Sequence, residues 1–291
     1  MKLSVQADHL KSFKEALSSR CQGVRLGSEF CEQLLPRPCE LEEAVELAQQ
    51  AGKAFTYITP RLSNAGIERL REQLALLNEK GETWVVFNDL GALNLLGHYP
   101  NLHPHIGRHM LLVPARSPWV EQHLQREDLS VRRRDWLRAL FASTSLNYRP
   151  TIELYRGYGC QRVDLDWLPR TFPSLTFLVE NGLRLSVHLH LVPATFTRKC
   201  HTARFLREES PEKCSKPCLD RAFLLRNEAF GLEFYLHGNV AFRLAEPHPE
   251  AVKELENLRV AELVLTMNPV TGIDSAEKID ATMSKLMADE R

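Results

Sequence analysis

Thr83-Trp84-Val85-Val86-Phe87-Asn88-Asp89-Leu90-Gly91-Ala92-Leu93-Asn94 is the stretch on which the fold class turns. Thr83–Phe87 is an apolar run of the length expected for a parallel strand covered on both faces. Asn88 and Asp89 then offer side-chain oxygens to cap a helix that continues through Leu96. The same order recurs upstream. Residues 54–59 form a β-rich run ended by Pro60, and Ser63 opens a helix with Ile67, Leu70, Leu74 and Leu77 at helical spacing. Before that, residues 24–26 are β-like and Gly27 ends them. The segment 40–51 reads as helix, with Leu41, Ala44, Val45 and Ala48 on one face and Gly52 as its stop. Residues 3–5 precede a helical stretch at 9–19 with Leu10, Phe13 and Leu17. Strand and helix alternating at about 30 residues imply right-handed βαβ units and a parallel sheet.

Downstream, strands are expected at 106–113, 151–155, Arg162–Asp166, 175–179 and 184–192. That brings the count to eight or nine by Pro193. Eight favours a closed (β/α) barrel of TIM type, irregular where the later helices are weak, with any chemistry at the C-terminal strand ends. Residues 1–193 are therefore expected to form the barrel-like body. Residues 194–291 would form a cysteine-bearing α+β extension packed on the same domain. In it, His237-Gly238-Asn239 reads as a hairpin turn between β-like runs at 233–236 and 240–244. A helix is expected near 249–258, a β-run at 261–266, and a closing helix from Ser275. Residues 207–217 are the most loop-like segment.

Lys+Arg and Asp+Glu are equal at 37 each in 291 residues, which excludes a polybasic nucleic-acid binder or an acidic tail. A hydrophobic content of 44% with 25% charged residues is ordinary for a globular chain. No apolar run approaches the ~20 residues that span a bilayer. The start, Met1 to His9, turns polar too early for a signal peptide, so a soluble cytoplasmic protein is expected.

Seven cysteines, an odd number, are too few for a disulfide scaffold in so long a chain. Cys200-x13-Cys214-x3-Cys218 is the sharpest motif, because a loop closing on itself brings three thiols together at small entropic cost. Pro217 argues against regular helix there. Zinc ribbons usually carry Cys-x-x-Cys knuckles, absent here, whereas a [4Fe–4S] centre takes four thiolates at looser spacing. The spacing favours iron–sulfur, with zinc and unliganded cysteines as the alternatives.

Several segments resemble the collagenase-like peptidase family, U32. They are Arg198-Lys199-Cys200-His201-Thr202-Ala203-Arg204, Cys214-Ser215-Lys216-Pro217-Cys218 and residues 234–238. Upstream, Gly23 to Cys31 resembles the family's strand and first cysteine, and 88–94 its Ser-Asp-Leu-Gly-like segment. Residues 258–269 resemble the segment that ends in a polar residue and proline. The landmarks run in order over nearly the whole chain, and they are most similar to the family's iron–sulfur branch in oxygen-independent ubiquinone biosynthesis. The resemblance implies a [4Fe–4S] cluster on Cys31, Cys200, Cys214 and Cys218, with Cys39 as the competing fourth ligand. It also implies a homologous paired subunit, an anaerobic hydroxylation system and a small aromatic substrate such as a quinone precursor. The other readings are an iron–sulfur scaffold or electron-transfer subunit without a substrate, RNA-base hydroxylation, and a peptidase. Residues 185–193 hold no acid and no His-Gly pair, which disfavours the hydrolase.

Among single residues, His188 and His190 alternate and are expected on one face of a strand, and with Asp89 they are the catalytic candidates. The bland roles are half-buried histidines and a helix cap. His103 and His105 read the same way. Asp164 and Asp166 are expected as a solvated strand edge, with ligand contact as the alternative. Arg204 is a partner for thiolate charge, a contact for an anionic substrate or a surface ion pair, and Arg132-Arg133-Arg134 a solvated helix start, with RNA contact as the lesser alternative. Cys21 and Cys160 are expected as fillers.

Overall fold

The computed structural model describes residues 1–208 and 213–287. Seven strands of the first part, β1 (Lys2–Ala7), β2 (Gly23–Leu26), β3 (Ala54–Ile58), β4 (Thr83–Phe87), β5 (Leu102–Ile106), β6 (Arg162–Asp166) and β7 (Arg184–His188), are parallel neighbours in a closed barrel. Next come β8 (His190–Phe196), β9 (Phe223–Asn227), β10 (Leu232–His237) and β11 (Val240–Ala245), which form a separate antiparallel sheet in the order β8-β11-β10-β9. The last strand, β12 (Glu262–Met267), returns to the barrel between β1 and β7, with Lys2 opposite Glu262 and Glu262 opposite Ser186. The fold is the expected (β/α) barrel with an α+β addition.

The seam differs from the one read in the sequence. Only seven barrel strands precede Pro193, and the eighth comes from the far side of the cysteine region. Two expected strands are helical: 151–155 lies in the helix Arg149–Gly157 and 175–179 in the helix Phe172–Glu180. Each has a proline in its first turn, where the missing N–H costs nothing. The buried pairs, Ile152 with Tyr155 and Leu175 with Leu178, stand three apart, a helical spacing. The expected run 106–113 contains only the end of β5, because Arg108–Met110 turns into a 3-10 helix. The run 184–192 breaks at His190, whose φ of 70° marks where the chain leaves the barrel. Residues 209–212 of the expected loop lie outside the described residues.

Alternation along the strands sorts two environments. Leu3, Val5 and Ala7 on β1, Val163 and Leu165 on β6, and Leu263, Leu265 and Met267 on β12 point outward into one apolar cluster with the helices. The intervening Ser4, Gln6, Asp164, Asp166, Glu262 and Thr266 are equally buried but polar. Inside the barrel, charge and hydrogen bonding stand where branched aliphatic side chains usually fill the space.

Gly27 ends β2 with φ +123°, and a Cβ there would lie 2.2 Å from the Ile58 carbonyl oxygen of β3. The turn it permits aims the following residues, Ser28 to Cys31, over the barrel mouth. Gly27→Ala is expected to cost about 3 kcal/mol, combining a left-handed backbone with a backbone clash. Urea unfolding should show the loss as a lower midpoint at unchanged slope.

Candidate functional site: a four-cysteine cavity above a charged barrel

The barrel interior is built in polar layers. At the N-terminal end, Glu262 accepts hydrogen bonds from the hydroxyls of Ser4 and Ser186 and lies 3.7 Å from Lys2 Nζ. In the middle, Asp164 receives Arg25 Nη2 at 2.6 Å, with His105 Nε2 at 2.8 Å and His188 Nε2 at 3.1 Å. Arg25 and Asp164 are both fully buried. At the C-terminal mouth, Arg108 donates to both oxygens of Glu29, at 2.9 and 2.6 Å, and to Asp166 at 2.8 Å. Asp166 takes a further bond from Arg116 at 2.6 Å.

Burial by itself would raise these carboxyls, but the adjacent cations outweigh it. Arg108 and then His188 hold Glu29 down at about 2. Arg116 and Arg108 lower Asp166, and Arg25 and the histidines hold Asp164 well below its ordinary value. Asp164 and Asp166 are thus internal anchors, not the solvated edge the sequence suggested. His188 is pulled down by burial and by Arg108. Because these carboxyls titrate lower in the fold than in the open chain (~4), they contribute stability above that pH. It is lost as pH falls from about 4 towards the folded value, about 2 for Glu29. Arg108→Met would leave two buried carboxylates short of a partner, and a loss of about 3–5 kcal/mol is expected. Its acid unfolding, followed by circular dichroism, should begin at a higher pH than wild type.

Above this mouth the four cysteines named by motif meet. Cys31, Cys200, Cys214 and Cys218 line one cavity of about 1130 Å³, counted to its open mouth. They arrive from separate places: Cys31 from the loop after β2, Cys200 from the start of the short helix His201–Phe205, and Cys214 and Cys218 from the segment before β9. Burial pushes the Cys31 thiol up to about 11, the nearby Cys200 and Cys214 adding to it, while backbone groups of Gln33 and Leu34 act against the rise. Cys218 is raised further, by burial first and then by Cys31. Backbone N–H groups point at two more sulfurs, Ala203 at Cys200 Sγ (3.3 Å) and Lys216 at Cys214 Sγ (3.4 Å). Lys216 adopts a left-handed backbone (φ 61°) between Cys214 and Cys218, a strained conformation for a residue other than glycine. Cys39, by contrast, is exposed on the helix Pro38–Gln50 and does not reach this cavity.

Among the described residues no three His, Cys, Asp or Glu side chains are drawn together as ligands of one metal ion. One zinc would gather its sulfurs at about 2.3 Å, whereas a four-iron cluster binds each thiolate through a different iron and leaves the sulfurs apart. Four thiols around one cavity, with backbone N–H donors on three of them, fit the donor set of a [4Fe–4S] group.

Phe30, Phe196 and His109 form an aromatic wall of the same cavity. The His109 ring stacks on Phe196 with centroids 4.0 Å apart, and Phe30 lies 4.4 Å away. Burial lowers His109 to about 3, so the ring is neutral. Arg61, Arg198 and Lys216 stand around the opening, with Glu32 as the one carboxylate among the described residues.

The other sequence candidates part company. His188 points into the barrel, but His190 lies past the break at the end of β7 and is only partly buried, so the two do not share a face. His105 is inside, and His103 packs on Trp84 at 5.0 Å. Asp89 caps its helix, accepting from Gly91 N at 2.7 Å and Leu62 N at 3.4 Å. Arg204, Arg132 and Arg133 are exposed and Arg134 is half-buried, while Cys21 and Cys160 are buried among apolar side chains.

Sequence reasoning missed Asp8, Glu29, Arg108 and His109. Each stands one to three residues beyond a barrel strand, on the face where barrel chemistry collects, and that position was the available signal. Asp8 is raised to about 7 by burial and by Glu29, which makes it a carboxyl able to exchange protons near neutral pH.

No known family model matches the chain, and no curated protein does. Solved structures share its general outline at low identity. The structure of the U32 peptidase Mk0906 is 13% identical, covers 92% of this chain and 93% of that one, and has a TM-score of 0.43. Dihydropteroate synthase from Thermus thermophilus, in complex with 4-aminobenzoate, is 14% identical over 97% of this chain and 91% of that one, with a TM-score of 0.42. Human YKL-39, a pseudo-chitinase with retained chitooligosaccharide binding, is 9% identical over 99% and 100%, with a TM-score of 0.39. Likeness at this level carries no argument about chemistry. No helix among the described residues is long and apolar enough to cross a membrane.

Proposed function

We propose that this chain is a [4Fe–4S] protein of the UbiV type, the iron–sulfur subunit of an oxygen-independent hydroxylation system acting on a quinone precursor or similar aromatic. The observation that carries the reading is the meeting of Cys31, Cys200, Cys214 and Cys218 on one cavity at the barrel mouth. Cys31 is 169 residues upstream of Cys200, so only the fold brings them together. The chain's resemblance to the U32 family supplies the reaction class and the homologous paired subunit.

When bound, such a cluster supplies electron transfer. The chain's own groups do the rest. The N–H donors of Ala203 and Lys216 stabilise negative charge on sulfur. Arg108 fixes Glu29, and with it the approach of Phe30 and Cys31. Phe30, His109 and Phe196 offer an aromatic wall against which an aromatic ring packs. Arg61, Arg198 and Lys216 offset thiolate charge at the opening. Asp8 holds or releases a proton on the inner side.

A second reading, an electron-transfer subunit with no substrate of its own, is favoured by an apolar surface near Cys200. Phe205, on the helix that Cys200 caps, is 69% exposed and packs on Phe223 of β9, where Leu224 and Leu225 are also exposed.

Protein purified without oxygen should contain about four irons and matching sulfide, with a broad absorption band near ~400 nm. Cys31→Ala and Cys218→Ala should lose both, and Cys39→Ala should keep them. Zinc, or no metal, overturns the cluster. Hydroxylation of a quinone precursor neither alone nor with its paired homologue, by protein that does hold the cluster, leaves the electron-transfer reading.

A further inference from the structure

Nearer the barrel axis, behind the cysteine cavity, lies a smaller chamber whose wall includes Gln6, Thr266, His237, Cys218, Asp8 and Asn268. Three buried polar atoms on this wall have no hydrogen-bond partner among the described residues: Gln6 Oε1, Thr266 Oγ1 and His237 Nε2. Their residues are 2%, 4% and 7% exposed, so bulk solvent does not satisfy them. Polar atoms buried in this way are normally paired with protein or with ordered water.

The chemistry of the three is specific. Gln6 Nε2 donates to Glu29 Oε1 at 3.0 Å, which fixes the amide with its oxygen as the free acceptor. The His237 ring is bonded to the main chain of Cys218, and Nε2, the nitrogen without a partner, faces the chamber as an acceptor. The Thr266 hydroxyl is free to donate. The set therefore asks for a small ligand that donates twice and accepts once. A cation drawn to the three lone pairs would leave the buried Thr266 hydroxyl proton without an acceptor, and an anion meets the lone pairs of Gln6 and His237. Water supplies both, with the three bonds usual for a buried molecule, and the chamber has room for at least one.

A second observation concerns access. Asp8, His237 and Asn268 also line a cavity on the outer side, with His9, Ser12 and Asp274. The same three residues thus separate the inner chamber from solvent.

We propose that this chamber is a bound-water site forming a hydrated back wall to the cysteine cavity, and that its water exchanges with solvent between Asp8, His237 and Asn268. The cysteine cavity then has two sides with different traffic: a wide front lined by aromatic rings and cations, and a narrow polar rear that passes water.

Oxygen-17 magnetic relaxation dispersion on the full chain counts buried waters and gives their residence times. Wild type should show at least one more long-lived water than a Gln6→Leu/Thr266→Val double variant. Asp8→Leu, which plugs the shared wall, should keep that water and lengthen its residence severalfold. A crystal structure of Thr266→Val alone checks that the fold is intact and that density bridging Gln6 and His237 is weakened or lost. Equal water counts in wild type and the double variant, or a chamber that is dry in a wild-type crystal, overturn the site. An unchanged residence time in Asp8→Leu overturns the port. None of these readouts involves iron, so failure of the cluster reading would leave this result standing.

Discussion

Arg108 is fully buried, and four parts of the chain end on its guanidinium or its main chain. Glu29 after β2 accepts from Nε and Nη2, while Asp166 at the end of β6 and the Leu191 carbonyl of β8 both accept from Nη1. Arg116 reaches back to the Arg108 carbonyl while also holding Asp166. One side chain therefore joins the barrel mouth to the antiparallel sheet beside it and sets the direction in which the Cys31 loop leaves β2. Removing so many charges from water is expensive, and an apolar filling of equal volume would often be at least as stable. What the charges add is geometric. A bidentate guanidinium–carboxylate pair has one good arrangement, where packed leucines have several.

The interior beneath follows the same rule. Arg25 and Asp164 sit at the centre of the barrel, and Glu262 is held by Ser4 and Ser186 below them. Apolar packing is displaced outward into the shell between strands and helices, where alternate residues of the barrel strands collect. Rigidity at the mouth comes from directional bonds, and cohesion of the whole from that outer shell.

Much of this was legible in the sequence, and the reasons for the remainder are physical. Thr83–Phe87 with its capped helix, and the repeats to either side, showed the barrel because burial on both faces leaves a continuous apolar run. The cysteine motif was legible because residues 200–218 are close in the chain. Asp164 and Asp166 misled: alternation with Val163 and Leu165 shows that they share a face, but not that the face is the inside of a closed barrel. Residues 151–155 and 175–179 misled because short apolar runs look alike in strand and helix, and Pro150 and Pro173 were the marks that separate them. Arg108 and Glu29 were hidden because their partners lie 58 and 79 residues away. No local pattern records a pairing of that range.

The position of β12 sets an order of assembly. The barrel is sealed by residues 262–267, near the carboxyl end of the chain, against β1 at the very beginning. During synthesis all four cysteines leave the ribosome before the strand that closes the ring, and Glu262, the carboxylate beside Lys2 and Ser4, is among the last internal charges to appear. Until then β1 and β7 each keep an open edge, and the polar interior can reach water from the side. The mouth, held by Arg108 and its partners, can be organised while the wall is still open. Pairing between strands so far apart in sequence is slow, so the thiols stay accessible from the open side of the wall for the time that closure takes.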